Sequence, residues 1–237
     1  MLNNELMLYC CCIDNHPPRF TSAFPMEAMI AGATYLPDDR RKHLIGENFI
    51  LDDSDDNISC LNPWFGDLTV LYWAWKNANY KQAGVCQYRR PWNEDDLASS
   101  EENILYVPPP AIFTSVEQQY MDCHSAFNAP AFSRDLASRN KIPLSHSMVD
   151  IAWKQQKFYG CNMARGSKVL FDKYCEIVFA TMMPLWEEHQ DLCKTLTGYQ
   201  RRSIAFAAER LITAIILNAD YFFGAGKLRE ARIEFTG

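Results

Sequence analysis

The chain of 237 residues carries 23 Lys and Arg against 29 Asp and Glu, a formal net charge of −6, with 48% hydrophobic and 13% aromatic residues. Aromatic content this high with so modest a charge excludes a disordered chain, and only 10 Gly and 12 Pro exclude a collagen-like or low-complexity one. The acidic balance weighs against a non-specific nucleic-acid binder, which needs a basic face to displace counterions, and leaves an acidic globular protein large enough to bury its own core.

Nine cysteines, an odd number with no C-x-x-C pair, lie mostly inside apolar runs such as Leu8–Ile13 and Tyr174–Phe179. They read as small buried hydrophobes in a reducing compartment. Adjacent cysteines at 10–12 point to opposite faces of a strand, which weighs against a metal site there. No leader peptide is expected at the N-terminus, and runs such as Leu211–Leu217 fall short of the roughly 20 apolar residues of a membrane span.

In chain order, the continuous apolar run Leu6–Ile13 predicts a strand buried on both faces, as in a parallel sheet covered by helices. Asn48–Leu51 is a second short strand, followed by the acidic loop 52–59. Trp64, Leu68, Leu71, Tyr72 and Trp75 share one helical face and predict a helix over Pro63–Asn77, N-capped by Asn62, with Asp67 near its positive end. Gln82–Tyr88 reads as a strand stopped by Arg89-Arg90-Pro91, and Ile104–Val107 as another. Ser115 and Gln118 suggest a capping box for a helix reaching Ala126; the stretch 131–156 has mixed helical patterning, and Phe158–Met163 looks like a further strand. Two long helices follow, Lys168–His189, capped by Ser167 and bent at Pro184, and Arg202–Asn218. Strands alternating with helices argue an α/β fold, with one domain over residues 1–237.

Three segments can carry chemistry. The loop Asp52-Asp53-Ser54-Asp55-Asp56-Asn57 fails as an EF-hand, since Ile58 and Trp64 stand where Gly and Glu are needed. It is either a solvated loop or a place where Asp56, Asn57 and Ser59 hydrogen-bond a nucleotide base or ribose. Arg89 and Arg90 close an apolar strand, where open α/β sheets bind ligands, and their planar donor forks suit phosphate. Pairing with the acidic run Glu94–Asp96 is the alternative. Glu209-Arg210 lies in a helix that is apolar nearly all round, so the two either satisfy each other or face a cleft, with Glu209 as a general base. Taken alone, His124 and Asn162 are weak signals. Phe223-Gly-Ala-Gly-Lys227 lacks the spacing of a phosphate loop.

Several segments taken together resemble one bacterial family. They are Asp56-Asn57-Ile58-Ser59 with Asn62-Pro63, Leu68-Thr69 with Leu71–Asn77, Tyr88-Arg89-Arg90, Gln119-Tyr120 with His124, Asn162-Met163 with Phe171, Tyr174 and Cys175, and Glu209-Arg210-Leu211. The family is known as a domain of unknown function found in capsular and exopolysaccharide gene clusters. Its members are regarded as glycosyltransferases, some moving galactofuranose from a UDP-sugar. The likeness runs from about Ile45 to Asn218. This sequence departs from the family in having Gln87 in place of His before Tyr-Arg-Arg, Asp67 in place of Glu, and Ala208 in place of Ser.

The resemblance implies a GT-A-like fold, a mixed, mostly parallel sheet flanked by helices, with residues 1–110 as the nucleotide-binding half and 111–237 as the acceptor half. It implies hexosyl transfer from a UDP-sugar to a saccharide or lipid-linked saccharide, with the enzyme in the cytoplasm, peripheral to the inner face of a membrane. Asp56, Asn57, Asn62, Thr69, Tyr88, Arg89, Arg90 and Asn162 become donor-binding candidates. His124 and Arg210 become contacts to acceptor or donor sugar, with Glu209, then Asp67, as catalytic carboxylates. No metal is assigned, Asp56 being the candidate ligand should Mg or Mn take part. A non-catalytic nucleotide- or carbohydrate-binding module and a glycoside hydrolase remain the alternatives.

Overall fold

A computed structural model describes residues 6–236. A seven-stranded sheet forms its centre. Its strands are β1 (Leu6–Cys12), β2 (Met26–Ile30), β3 (Ile50–Leu51), β4 (Gln82–Gln87), β5 (Leu105–Val107), β8 (Arg165–Ser167) and β9 (Leu228–Glu230), in the order β3-β2-β1-β4-β8-β5-β9. Pairing from β3 through β4 is parallel, with Leu8 opposite Met26 and Gly84, whereas β8 runs antiparallel to both β4 and β5. A separate two-stranded ribbon joins β6 (Ala111–Ile112) to β7 (Lys157–Phe158). The sheet is flanked by α1 (Asp38–Gly46), α2 (Asn62–Phe65), α3 (Leu68–Asn77), α4 (Glu94–Ala98), α5 (Val116–His124), α6 (Ala129–Ser138), α7 (His146–Lys154), α8 (Lys168–Thr195), α9 (Ser203–Leu217) and α10 (Ala219–Phe223).

The first strand explains the layering. Every residue of β1 is buried, and alternate side chains enter different cores. Met7, Tyr9 and Cys11 pack with residues of α3, α8 and α9. Leu6, Leu8, Cys10 and Cys12 pack with Leu44 of α1, Leu97 of α4, Trp92 and Ala231. This is the strand buried on both faces that the apolar run predicts. All nine cysteines are free.

Three expected elements take a different form. The helix expected over Pro63–Asn77 is two helices, broken at Gly66 (φ 54°, ψ −130°), a conformation that needs glycine. Asn62 does not cap; its amide instead spans the break, donating to Gly66 O and Thr69 Oγ1. The strand expected at Phe158–Met163 is replaced by β7 and a turn, with Cys161 and Asn162 in the left-handed region and the real strand starting at Arg165. Ser167 stands at the N-cap of α8, but its hydroxyl makes no capping bond. That helix continues through Pro184 to Thr195, six residues beyond the expected end.

Burial of β8 needs a charge to be settled. Arg165 is fully buried, its guanidinium 4.1 Å above the Tyr106 ring, donating to Ser100 Oγ and Asp96 O. Burial lowers its pKa to about 10, so it stays charged at neutral pH and ties β8 to the segment around α4.

Candidate active site

A cavity of about 670 Å³ opens beyond the carboxyl ends of β1 and β4, where ligands of open α/β sheets lodge. Its size is that of a small-molecule site. Cys11, Ile13 and Ala31 come from the strand ends, Gln87–Arg90 from the exit of β4, and Asn62, Gly66 and Asp67 from the α2–α3 break. The remaining walls come from α5 (Gln119, Cys123, His124), Phe158 and Asn162, and the start and body of α9 (Tyr199, Arg202, Phe206, Glu209, Arg210). Four arginines against two carboxylates leave an excess of two positive charges in a chain whose overall balance is −6.

The two carboxylates are held by one turn. Cys161 (φ 79°) and Asn162 (φ 48°) are consecutive left-handed residues, a costly arrangement that persists only when its surroundings fix it. The Cys161 amide donates to Glu209 Oε1 at 3.0 Å, and Asn162 Nδ2 donates to Asp67 Oδ1 at 3.0 Å. Gln87 Nε2 donates both to Asp67 Oδ2 (2.5 Å) and to Cys161 O (2.8 Å), while Gln87 Oε1 accepts from Arg90. Arg90, Gln87, Asp67 and Asn162 therefore form one hydrogen-bonded chain across the floor. Asn162 Oδ1, nearly fully buried, has no partner among the described residues.

Glu209 Oε2 accepts from Arg210 NH1 at 2.8 Å. The Arg210 guanidinium lies 4.4 Å from the Phe158 ring centre and also donates to Phe206 O and Gln119 Oε1. Burial raises the pKa of Glu209; the Arg210 charge pulls it down, and the Asp67 charge pushes it up. Burial also raises the pKa of Asp67, against the Arg202 charge and the bonds from Asn162 and Gln87. Both halves of the sequence-level question about Glu209-Arg210 are met, since the pair is salt-bridged and faces the cavity.

His124 stacks on Phe206 with ring centroids 3.9 Å apart. Burial, helped by the Arg210 charge, lowers its pKa to about 4, so it is a neutral donor or acceptor at pH 7. With the folded pKa below the usual 6.5, its contribution to stability is full above pH 6.5 and is lost as the pH falls towards 4. Urea midpoints of wild type and His124→Phe, compared between pH 7 and 4, are expected to converge as the pH falls; a constant gap would contradict the assignment.

Not every candidate residue reaches the cavity. Asn62, Asp67, Tyr88, Arg89, Arg90, His124, Asn162, Glu209 and Arg210 line it; Asp56, Asn57 and Thr69 do not. Asp56 accepts from the Tyr72 hydroxyl, and its carbonyl accepts from Asn77. Asn57 folds the acidic loop on itself, donating to Asp53 O and Asp55 O and accepting from the Ser59 amide. Thr69 is fully buried and donates to Asp52 Oδ2. Glu94 and Asp96 accept instead from Ala23 N and Arg232, and among the described residues that acidic run pairs with Arg232 rather than with Arg89 or Arg90. Arg202, Phe206 and Tyr199 were not singled out by the sequence, although the spacing 202–206–209 along one face of α9 carries the signal.

Asp56 therefore lies away from the cavity, and among the described residues no three His, Cys, Asp or Glu side chains could jointly hold a metal ion. The exit of β4, where the cavity opens, carries Gln87, Tyr88, Arg89 and Arg90. This cationic donor set does not fit such an ion.

Sheet order, antiparallel insertion and cavity position define a GT-A-like α/β fold. Among solved structures, the bifunctional glycosyltransferase WbbM in its apo form matches 99% of this chain with a TM-score of 0.71 at 19% identity, and this chain spans 46% of its length. No curated protein sequence matches. The chain belongs to the family described as "Domain of unknown function (DUF4422)", whose model matches residues 29–220. Among the described residues no helix is long and apolar enough to cross a membrane.

Proposed function

We propose that the protein is a glycosyltransferase that moves a hexosyl unit from a UDP-sugar to a saccharide or lipid-linked saccharide acceptor. Galactofuranose is the donor sugar that the motif resemblance favours, and surface polysaccharide synthesis at the inner face of the membrane is the setting. The carrying observation is the cavity at the strand ends, net positive by two charges and floored by two carboxylates with raised pKa. The fold shared with a bifunctional glycosyltransferase supports it.

In this reading the N-terminal half holds the nucleotide. The bond from the sugar's anomeric carbon to the diphosphate oxygen breaks with its electron pair going to the diphosphate. Arg89 and Arg90 stabilise the charge that develops there. The acceptor hydroxyl oxygen bonds the anomeric carbon, and its proton passes to Glu209, with Asp67 as second candidate. Arg210 keeps Glu209 available as the anion, and the neutral His124 is the contact to a sugar hydroxyl.

The test is incubation with radiolabelled UDP-sugars, UDP-galactofuranose among them, with and without EDTA. Turnover of at least one, undiminished by EDTA, is the expected result, and no binding or turnover of any overturns the reading. Arg89→Ala should weaken UDP binding about tenfold without lowering the melting temperature, because the side chain is exposed.

A further inference from the structure

Arg202 stands out among the four cavity arginines. Arg210 is bound to Glu209 and Gln119, and Arg90 to Gln87. The Arg202 side chain has no hydrogen-bond or ion-pair partner among the described residues; the Phe206 ring lies 6.0 Å from its guanidinium carbon. A cation left unpaired in a cavity is a place for an anion.

Its guanidinium lies over the α2–α3 break. A Cβ on Gly66 would lie 2.6 Å from one Arg202 terminal nitrogen and 3.1 Å from Nε. The glycine at the α2–α3 break is required for its own backbone angle, and the guanidinium fills the space its missing side chain leaves. Arg202 lines the same cavity as Asp67 and Glu209, and its charge lowers the pKa of both. The Arg89 side chain likewise makes no hydrogen bond or ion pair among the described residues and lies beside the Tyr88 ring. One free cation comes from the exit of β4 and the other from the turn 198–202 before α9. A single phosphate needs only one such cation, whereas a diphosphate presents two anionic groups.

We propose that Arg202 is a donor-binding residue that holds the second phosphate of a nucleoside diphosphate, with Arg89 as the other arm of the clamp. This rests on the nucleotide-sugar reading and extends it, because Arg202 belongs to the half assigned above to the acceptor. The leaving group is then gripped by both halves, and the cavity closes on the donor from the α9 side.

The test is calorimetric titration of the full chain with UDP and with UMP, for wild type, Arg202→Ala and Arg202→Lys. Expected is a wild type that prefers UDP, with UDP affinity lowered about tenfold or more in Arg202→Ala. UMP affinity stays unchanged, and Arg202→Lys recovers part of the loss. An unchanged ratio of UDP to UMP affinity in Arg202→Ala overturns the assignment and leaves the nucleotide reading standing. Equal loss for both ligands also overturns it, as a sign of a general structural role. A wild type that binds neither ligand overturns the nucleotide reading itself, and the clamp with it.

Discussion

Glu209→Gln is expected to lower the rate of sugar transfer by about 10²- to 10⁴-fold, the range lost when a positioned general base is removed, with UDP affinity kept. The amide retains the shape and one acceptor oxygen for the Cys161 N–H, so the left-handed turn it holds at 3.0 Å is preserved. The pH profile gives an independent readout. Because burial raises the Glu209 pKa above 4.5, the acid limb of the wild-type rate should lie above the ordinary carboxylate range. Activity should rise as the pH passes that value and the base becomes free. Glu209→Gln should lose this limb. Steady-state rates between pH 4 and 8 check both points, and full activity in the variant would remove Glu209 from the chemistry and return attention to Asp67.

The second large effect concerns stability. Asp52, fully buried, accepts hydrogen bonds from the Gly32 and Ala33 amides, from Ser59 Oγ at 2.5 Å and from Thr69 Oγ1 at 2.6 Å. It thereby joins the end of β2, the loop after β3 and the start of α3. Asp52→Ala would strand four donors, each costing roughly 1–3 kcal/mol when buried without a partner, and partial relaxation makes a total of about 4 kcal/mol the expected loss. Thr69→Val, which removes a single donor, should cost about 1 kcal/mol. Urea unfolding measures both, and a loss below about 1 kcal/mol for Asp52→Ala would show that the carboxylate is not the junction described.

The resemblance makes Thr69 a donor-binding candidate, but the structure buries it outside the cavity lining, against Asp52. A threonine two residues after Asp67 at the start of α3 serves Asp52, a contact between distant segments that no local spacing reveals. The strong periodicities were legible: β1, β4, α5 and the α8–α9 pair lie close to where the apolar pattern puts them. The weak ones were not. Helix α1, Asp-Asp-Arg-Arg-Lys-His-Leu-Ile-Gly, buries only Leu44, so it has no apolar face to read. Apolar spacing could not register the break at Gly66, because Trp64 and Leu68 fall on one helical face with or without it. Yet the break is what turns the Asp67 carboxylate to the cavity floor. Likewise Cys161 and Asn162 look like a strand, since β-type residues surround them; only their bonds to Glu209, Gln87 and Asp67 stabilise the left-handed turn. Arg89 and Arg90 at the strand end were legible because topology alone places them. Arg202 depends on packing between α9 and α2, which the sequence does not display.

The antiparallel strand between β4 and β5 also governs the order in which the molecule can be completed. Residues 165–167 fill the gap between strands that end by residue 107, and β9 closes the far edge from residue 228 onward. During synthesis, β1 to β4 can pair as they emerge, but the β4 edge stays open for some 80 residues and β5 has no neighbour until β8 arrives. Long-range closures of this kind slow folding and leave strand edges open to other chains. A chain released before residue 165 would therefore present an unpaired β4 edge of buried-type residues, Ala83, Val85 and Cys86 among them, and would be expected to aggregate rather than persist as a smaller folded unit.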